Sequence, residues 1–326
     1  MVRQESRSLG IVTGERAPEL SENGRSVQAE LRDRGWAAEP VIWTDEDIDW
    51  SRFDVALVRS CWNYHIRPDA FREWTEIVEE AGVTLLNPAA VVRWNMHKFY
   101  LRELAAEGVG ILPTAWVERG SDGNLRTVLR ENGWQEAVVK PAIGTSSANA
   151  WRTSVDEAAD RQEEFETLVA DRGVLVQQFA PGIADGERSF VFFGGEFSHA
   201  RRRYPADGDF RAHNRYGGTG EAYDPPRKLV EQARDVLETA CEILDIDPVS
   251  LPYARVDGLE RGGDDGEGGD NRVGGDNRDG GDDEQTGEFH LMELELIEPY
   301  LSLDTREGAV TTFADAIESA LRVVRK

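Results

Sequence analysis

Residues 137–150, Ala-Val-Val-Lys-Pro-Ala-Ile-Gly-Thr-Ser-Ser-Ala-Asn-Ala, narrow the folds open to this chain more than any other stretch. A short apolar run, enough for one buried strand, ends in Lys140, and a loop of small residues follows at once. Such a loop lets backbone N–H groups come close to a phosphate, and the lysine sets a positive charge beside them. The alternative is a lysine facing solvent at a strand end. Only four of the 37 basic residues are lysines (Lys98, Lys140, Lys228 and Lys326), so one inside an apolar strand calls for a reason.

A chain of 326 residues exceeds one comfortable core, which predicts two or three subdomains. Its net charge of −25 and pI near 4.6 oppose bare nucleic acid or an anionic membrane as partner, because either would be repelled. Any polyanion must therefore be gathered locally. Strong acidity with arginine in place of lysine reads as halophilic adaptation, since at about 1 M salt repulsion is screened over about 3 Å. Cys61 and Cys241 are too few for a disulfide scaffold or a thiolate metal site. No apolar run approaches the ~20 residues of a membrane span, and residues 1–6 lack a signal-peptide core, so a cytoplasmic protein is expected.

Residues 8–13, 41–43, 54–59 and 83–86 read as strands, with helices over 21–34, capped by Ser21 or Asn23, and over 68–81. This alternation predicts a small doubly wound unit over 1–92, whose ligands gather past the carboxyl ends of its strands. Arg59-Ser-Cys-Trp-Asn-Tyr-His65 would then stand at a mouth, where Trp62 and Tyr64 either meet a substrate or pack against the next domain. A helix opens at 93–98 with Asn95 as cap and Gly108 as stop. Lys98 in its first turn goes against the preference for carboxylates there, which suggests a ligand phosphate or else an exposed lysine. Further strands are expected at 113–117, 174–179, 189–193 and 196–200, the last two joined by Gly194-Gly195, with helices at 125–132, 157–172, 226–244 and 309–324. Five arginines fall within 201–215, more than charge balance with acidic neighbours accounts for, and point to an anion site.

Strands at 252–257 and 288–298 flank residues 258–287, which hold eleven glycines, ten acidic residues and a repeated Gly-Gly-Asp-Asn-Arg unit. That insert cannot bury apolar surface and is expected to be a disordered loop. A calcium array would need an apolar β-roll position, which the period of six lacks. Strand alternation puts Glu293 and Glu295 on one face, with Asp257 on the neighbouring strand. Three carboxylates there would resist ionisation without a cation, and hard oxygen ligands of this kind suit magnesium bridging phosphates; the alternative is an exposed acidic strand face.

The order of these parts resembles the ATP-grasp superfamily: a lysine helix, a lysine strand with a Gly-Thr-Ser-Ser loop, a Val-Gln-Gln-Phe strand, an Arg-x-Asp strand and a Glu-x-Glu strand. Within it, the likeness is to glutathione synthetase, D-alanine–D-alanine ligase, ribosomal-protein glutamate ligases and the cycloserine-biosynthesis proteins. It covers roughly residues 90–315, and residues 59–65 also look like the N-terminal part of the cycloserine group. The resemblance implies an α/β (α+β) ATP-grasp fold. A Rossmann-like pre-grasp domain at 1–92 would precede two α+β subdomains, at 93–175 and 176–326, that clasp ATP. It further implies phosphate-binding roles for Lys98, Lys140 and the loop Gly144, Thr145, Ser146 and Ser147. Gln177, Gln178 and Phe179 would form the adenine-reading linker, and Glu187 would bind ribose. Arg255 and Arg211 would be the catalytic arginines, and Asp257, Glu293 and Glu295 the ligands of magnesium or manganese. Many members carry asparagine where Glu295 stands, and Glu298 is an alternative ligand; the acidic insert is foreign to the pattern.

The implied activity is ATP-dependent, magnesium-dependent ligation of a small-molecule carboxylate to an amine through an acyl phosphate, with no nucleic-acid or membrane partner. The alternatives are a nucleotide-binding protein without catalysis and a small-molecule kinase on the same fold. GxxxxGK, GxSxG, HExxH and complete GxGxxG motifs are absent from the sequence.

Overall fold

The computed structural model describes residues 7–261 and 287–324. The disordered loop expected from the sequence falls for the most part, over 262–286, outside the described residues. The chain begins β1 (Ser8–Thr13), α1 (Glu22–Asp33), β2 (Ala37–Ile42), β3 (Val55–Ser60), α2 (Pro68–Glu80) and β4 (Thr84–Leu86). These strands form an all-parallel sheet in the order β2-β1-β3-β4. Both its faces are covered, which explains the unbroken apolar run of β3. Ala56 and Val58 pack on Phe71, Trp74 and Val78 of α2. Leu9, Ile11, Val55 and Leu57 pack on Phe313, Ile317 and Leu321 of the last helix of the chain. Each large side chain so buried contributes about 1.5–3 kcal/mol. Ser21 caps α1 as expected, its side chain accepting from the Gly24 N–H at 3.2 Å.

Next come α3 (Ala89–Asn95), α4 (Tyr100–Ala106), β5 (Thr114–Val117), α5 (Leu125–Glu131), β6 (Glu136–Pro141), β7 (Trp151–Ser154), α6 (Gln162–Arg172) and β8 (Val174–Gln178). The single helix expected from residue 93 is two helices. Asn95 ends the first, because its side chain bonds the backbone of Leu294 and Leu296 and so does not cap a second. Lys98 lies in the turn between them, where its N–H donates to the Ala142 carbonyl at 2.7 Å. The antiparallel sheet β5-β8-β6-β7 buries Ala137, Val139, Val174 and Val176 against α5 and α6. Alternation therefore turns Lys140 to the opposite face. The helix expected at 157–172 is a separate turn at Glu157–Ala159 followed by α6, and the four-residue β7 was not anticipated.

The remaining elements are β9 (Glu187–Phe193), β10 (Glu196–Tyr204), β11 (Thr219–Tyr223), α7 (Arg227–Leu244), β12 (Ala254–Arg261), β13 (Glu288–Glu295) and α8 (Ala309–Val324). Their antiparallel sheet runs β11-β10-β9-β12-β13. One face packs Phe190, Phe192, Val256 and Leu294 on Leu229, Ala233, Val236 and Leu237 of α7. Two of these strands run well past their expected ends. β10 runs on through Arg201, Arg202 and Arg203 because the unanticipated edge strand β11 pairs with it. β12 continues through Gly258–Arg261, residues expected to be loop, because they pair with Glu288–Leu291. A bulge between Asp257 and Gly258 depends on the glycine, since a Cβ there would meet the His290 carbonyl oxygen at 2.4 Å. No helix among the described residues is long and apolar enough to cross a membrane.

Candidate active site

The face of the five-stranded sheet turned from α7 carries the charged residues, because each alternates with a core residue. Arg255 and Asp257 flank Val256; Glu293 and Glu295 flank Leu294. Glu293 and Glu295 share one face with Asp257 on the neighbouring strand, as alternation predicts, and the register sets Asp257 opposite Glu293 and Arg255 opposite Glu295. Arg201 and Arg203 of β10 belong to this face, whereas Arg202 turns to the other side and donates to the Asp185 carbonyl at 2.6 Å. A cavity of about 380 Å³ lies over the charged face. A smaller one, about 120 Å³, shares Lys98, Gly144–Ser147 and Glu187 with it and extends under β6 and β8.

The charges in the larger cavity form a chain of ion pairs. Arg203 Nη2 stands 3.0 Å from both Glu187 and Asp257. Arg255 Nη2 reaches Asp257 at 2.8 Å and Glu295 at 2.5 Å, while its Nη1 donates to the Tyr300 carbonyl. Lys98 is paired with Glu293. Burial opposes ionisation of Asp257, only 1% exposed, but Arg255 and Arg203 overcome it and hold the carboxyl below its ordinary value. Lys98 and Lys140 do the same for Glu293. Glu295 goes the other way: burial, with Asp257 and Glu293 nearby, pushes it up to about 7 despite Arg255. Glu298, beyond the end of β13, is raised well above a carboxylate's usual value by burial and by Glu295.

The smaller cavity is an apolar slot between Leu112, Ile183, Leu259, Phe179 and Met292, closed by Lys140. Burial, with Lys98 nearby, lowers Lys140 to about 8. Its ammonium has the Gln177 side chain at 3.3 Å, and Gln177 is fixed in turn by donating to Thr114. Along the linker, the N–H of Gln178 donates to the Pro113 carbonyl and that of Phe179 to Glu136. The next backbone donor is that of Ala180.

The loop Gly144–Ser147 arches over both cavities, with Ser146 and Ser147 at positive φ. Thr145, buried, sets its hydroxyl 3.0 Å from His65 Nδ1 and 3.2 Å from the Trp62 carbonyl. Arg172 adds a second tie, donating to the carbonyls of His65 and Ile143. The loop is thus moored to the connection after β3. Burial and nearby Arg16 lower His65 to about 4, so the ring is neutral near pH 7.

The structure gathers Lys98, Lys140, Gly144–Ser147, Gln177, Gln178, Phe179, Glu187, Glu293, Asp257, Glu295 and Arg255 around these adjoining cavities. Arg211 stands apart from Arg255. It borders only the smaller cavity, is held bidentate by Asp209 at 2.7 and 2.9 Å, and lies 3.6 Å over the Tyr216 ring. Of the segment 59–65, Trp62 and Tyr64 line the larger cavity. Arg59 is instead a buried strut between the Pro299 carbonyl and the rings of Tyr253 and Phe313. Sequence reasoning passed over Arg16, which lines the same cavity from the β1–α1 connection. The rule that ligands collect past carboxyl strand ends, applied to β1 as it was to β3, would have found it.

Among the described residues no three of the His, Cys, Asp and Glu side chains are gathered as a ready-made metal site. The donor set still suits a hard cation, for it is all oxygen, lies on one sheet face, and includes in Glu295 a carboxylate whose ionisation is opposed by burial and by Asp257 and Glu293.

Two family models match the chain. Residues 9–87 match one described as the N-terminal domain of D-cycloserine synthetase DcsG. Residues 107–246 match the ATP-grasp domain of prokaryotic glutathione synthetase. The cycloserine biosynthesis protein DcsG of Streptomyces lavendulae is 30% identical over 296 residues, covering 88% of this chain and 90% of the relative. A glutathione synthetase of Prochlorococcus marinus is 36% identical over 152 residues, 45% of this chain and 46% of that one. The crystal structure of D-cycloserine synthetase DcsG superposes with a TM-score of 0.81 at 28% identity, covering 97% of this chain and 99% of that one. D-alanine–D-alanine ligase from Bacillus anthracis complexed with ATP shares the fold, with a TM-score of 0.68 at 18% identity over 98% of this chain and 99% of that one.

Proposed function

Since the chain belongs to the ATP-grasp ligase family, we propose that it joins a small-molecule carboxylate to an amine through an acyl phosphate, with magnesium as the working ion. The observation that carries this reading is the convergence of Lys98, Lys140, Asp257, Glu293 and Arg255, from three strands and one turn, on two adjoining cavities, one of them an apolar slot.

In this reading the slot takes the adenine, the linker at Gln177, Gln178 and Phe179 reads its edge, and Glu187 binds the ribose hydroxyls. Lys140, Lys98 and the Gly144–Ser147 loop hold the phosphates. Asp257, Glu293 and Glu295 would hold magnesium, which offsets phosphate charge when bound. Arg255 faces the charge that develops as a carboxylate oxygen attacks the γ-phosphorus and ADP departs. The amine then attacks the acyl carbon, gives up a proton and expels phosphate. Arg211 joins only by releasing Asp209. Residues 93–175 and 176–326 act as the two halves that close on ATP, and 1–92 supplies the outer wall of the larger cavity.

The test is trapping. With a competent carboxylate, ATP and hydroxylamine at high salt, a hydroxamate should form along with ADP. A stable phosphate ester in its place would favour a kinase, and nucleotide binding without ADP release from any carboxylate would favour a sensor.

A further inference from the structure

The backbone N–H groups of Thr145, Ser146 and Ser147 make no hydrogen bond among the described residues, whereas those of Ala148 and Ala150 are taken up inside the loop by the Thr145 and Ser147 carbonyls. Ser146 and Ser147 also hold φ at +52° and +54°, a left-handed conformation that residues other than glycine rarely adopt. A backbone in that state keeps its shape, and its free donors keep their direction, only where the surroundings fix it.

The turn after β3 supplies that fixation. Thr145 and His65 are both buried, and the Thr145 hydroxyl stands 3.0 Å from His65 Nδ1 and 3.2 Å from the Trp62 carbonyl. A hydroxyl has one proton to give and a carbonyl can only accept, so that proton goes to Trp62 and His65 Nδ1–H donates to Thr145 Oγ. His65 is held in turn, because its carbonyl accepts from Arg172 Nη1 at 2.9 Å. The same nitrogen reaches the Ile143 carbonyl at 3.2 Å, at the root of the loop. On the loop's other side the Tyr216 hydroxyl approaches the Ser147 carbonyl only to 3.4 Å, a weaker tie. His65 borders neither cavity, so whatever it does for a ligand it does through Thr145.

We propose that His65 is a positioning residue of the nucleotide site, one that sets Thr145 so that the free N–H groups of the loop face the terminal phosphates of ATP. This rests on the reading of Gly144–Ser147 as the phosphate loop. It carries a particular signature: affinity for the triphosphate depends on His65 and affinity for the nucleoside does not. The apolar slot between Leu112, Ile183, Leu259, Phe179 and Met292 is built without it.

Calorimetric titration of the full chain with a non-hydrolysable ATP analogue and with adenosine separates the two affinities. His65→Leu should weaken the triphosphate about 3- to 10-fold, the order of one lost hydrogen bond, and leave adenosine within about twofold. His65→Asn, whose amide N–H stands near the place of Nδ1–H, should recover most of the loss. Thr145→Val should weaken the triphosphate as His65→Leu does, Thr145→Ser should not, and the double variant His65→Leu/Thr145→Val should be no weaker than either single one. The Thr145 pair carries the test from the loop side should His65→Leu fail to fold. Hydrogen exchange across residues 142–150 of the free protein should quicken in His65→Leu and Thr145→Val alike. Unchanged triphosphate affinity in both variants would overturn the inference. Equal weakening of adenosine and the triphosphate would make His65 a general prop of the fold and overturn it as well, as would additive losses in the double variant. A parent protein that binds adenosine as tightly as the triphosphate would defeat the phosphate-loop reading itself, and the inference with it.

Discussion

Arg255→Met is expected to lower turnover by about 10²–10³ and to destabilise the fold by about 3–5 kcal/mol at pH 8. The two losses have one origin. Arg255 is buried and bonds Asp257 through Nε and Nη2, Glu295 through Nη2 and the Tyr300 carbonyl through Nη1. Methionine fills similar space but leaves Asp257 with Arg203 alone and Glu295 with no cation. The stability loss should depend on pH. Glu295 already stands near 7, above its ordinary value, so the folded state binds more protons than the unfolded chain between the ordinary carboxylate range and about 7. Stability from this group is therefore present at acid pH and is lost as pH rises through that window, and removing Arg255 widens it. Urea midpoints measured from pH 5 to 8 should converge with those of the parent at the acid end. Equal midpoints at pH 8 would mean that the buried network does not hold the sheet together, and unchanged ADP release would take Arg255 away from the phosphoryl group.

Lys140→Met should weaken ATP binding by roughly 10²-fold or more, since a charge pair at about 4 Å is worth about 4 kcal/mol at an effective dielectric near 20 and about 1 in water. Gln177 is the one side chain bonded to this ammonium among the described residues, which leaves its charge available to a phosphate. The pH dependence is the sharper signature. Burial sets Lys140 at about 8 in the free protein. ATP affinity should therefore be flat below that pH and fall about tenfold per unit above it, as the free protein loses the proton that the complex needs. Lysine's unfolded value is higher, so from about 8 upward the unfolded chain binds more protons and the parent's stability gains with pH, a gain that Lys140→Met lacks. Calorimetric titration between pH 6.5 and 9.5 checks both. A variant that kept the alkaline fall in affinity would assign it to another group.

The parallel sheet, the lysine strand and the pairing of Glu293 with Glu295 were legible because each depends on residues a few positions apart. Apolar residues alternate along β6 and β13, and that alone fixes which side chains share a face. Short elements with weak patterning were not legible. β7 has four residues, and β11, Thr-Gly-Glu-Ala-Tyr, is a largely exposed edge strand whose neighbour β10 supplies its hydrogen bonds. Its pairing extended β10 past the strand expected at 196–200 and set Arg201 and Arg203 on the floor of the cavity.

The sequence by itself determined that the chain alternates strands and helices, that a lone lysine ends a buried strand before a small-residue loop, and that three carboxylates share one sheet face. Only the tertiary structure decided which cation answers which carboxylate: Lys98 with Glu293 across 195 positions, Arg203 with Asp257 across 54, Arg255 with Glu295 across 40. It alone moored Thr145 to His65, 80 positions away, and left Glu298 and Arg201 without partners of opposite charge among the described residues. The reason is physical: side-chain alternation is a local property of the backbone, whereas partners far apart in sequence are fixed by strand register and the packing of separate sheets.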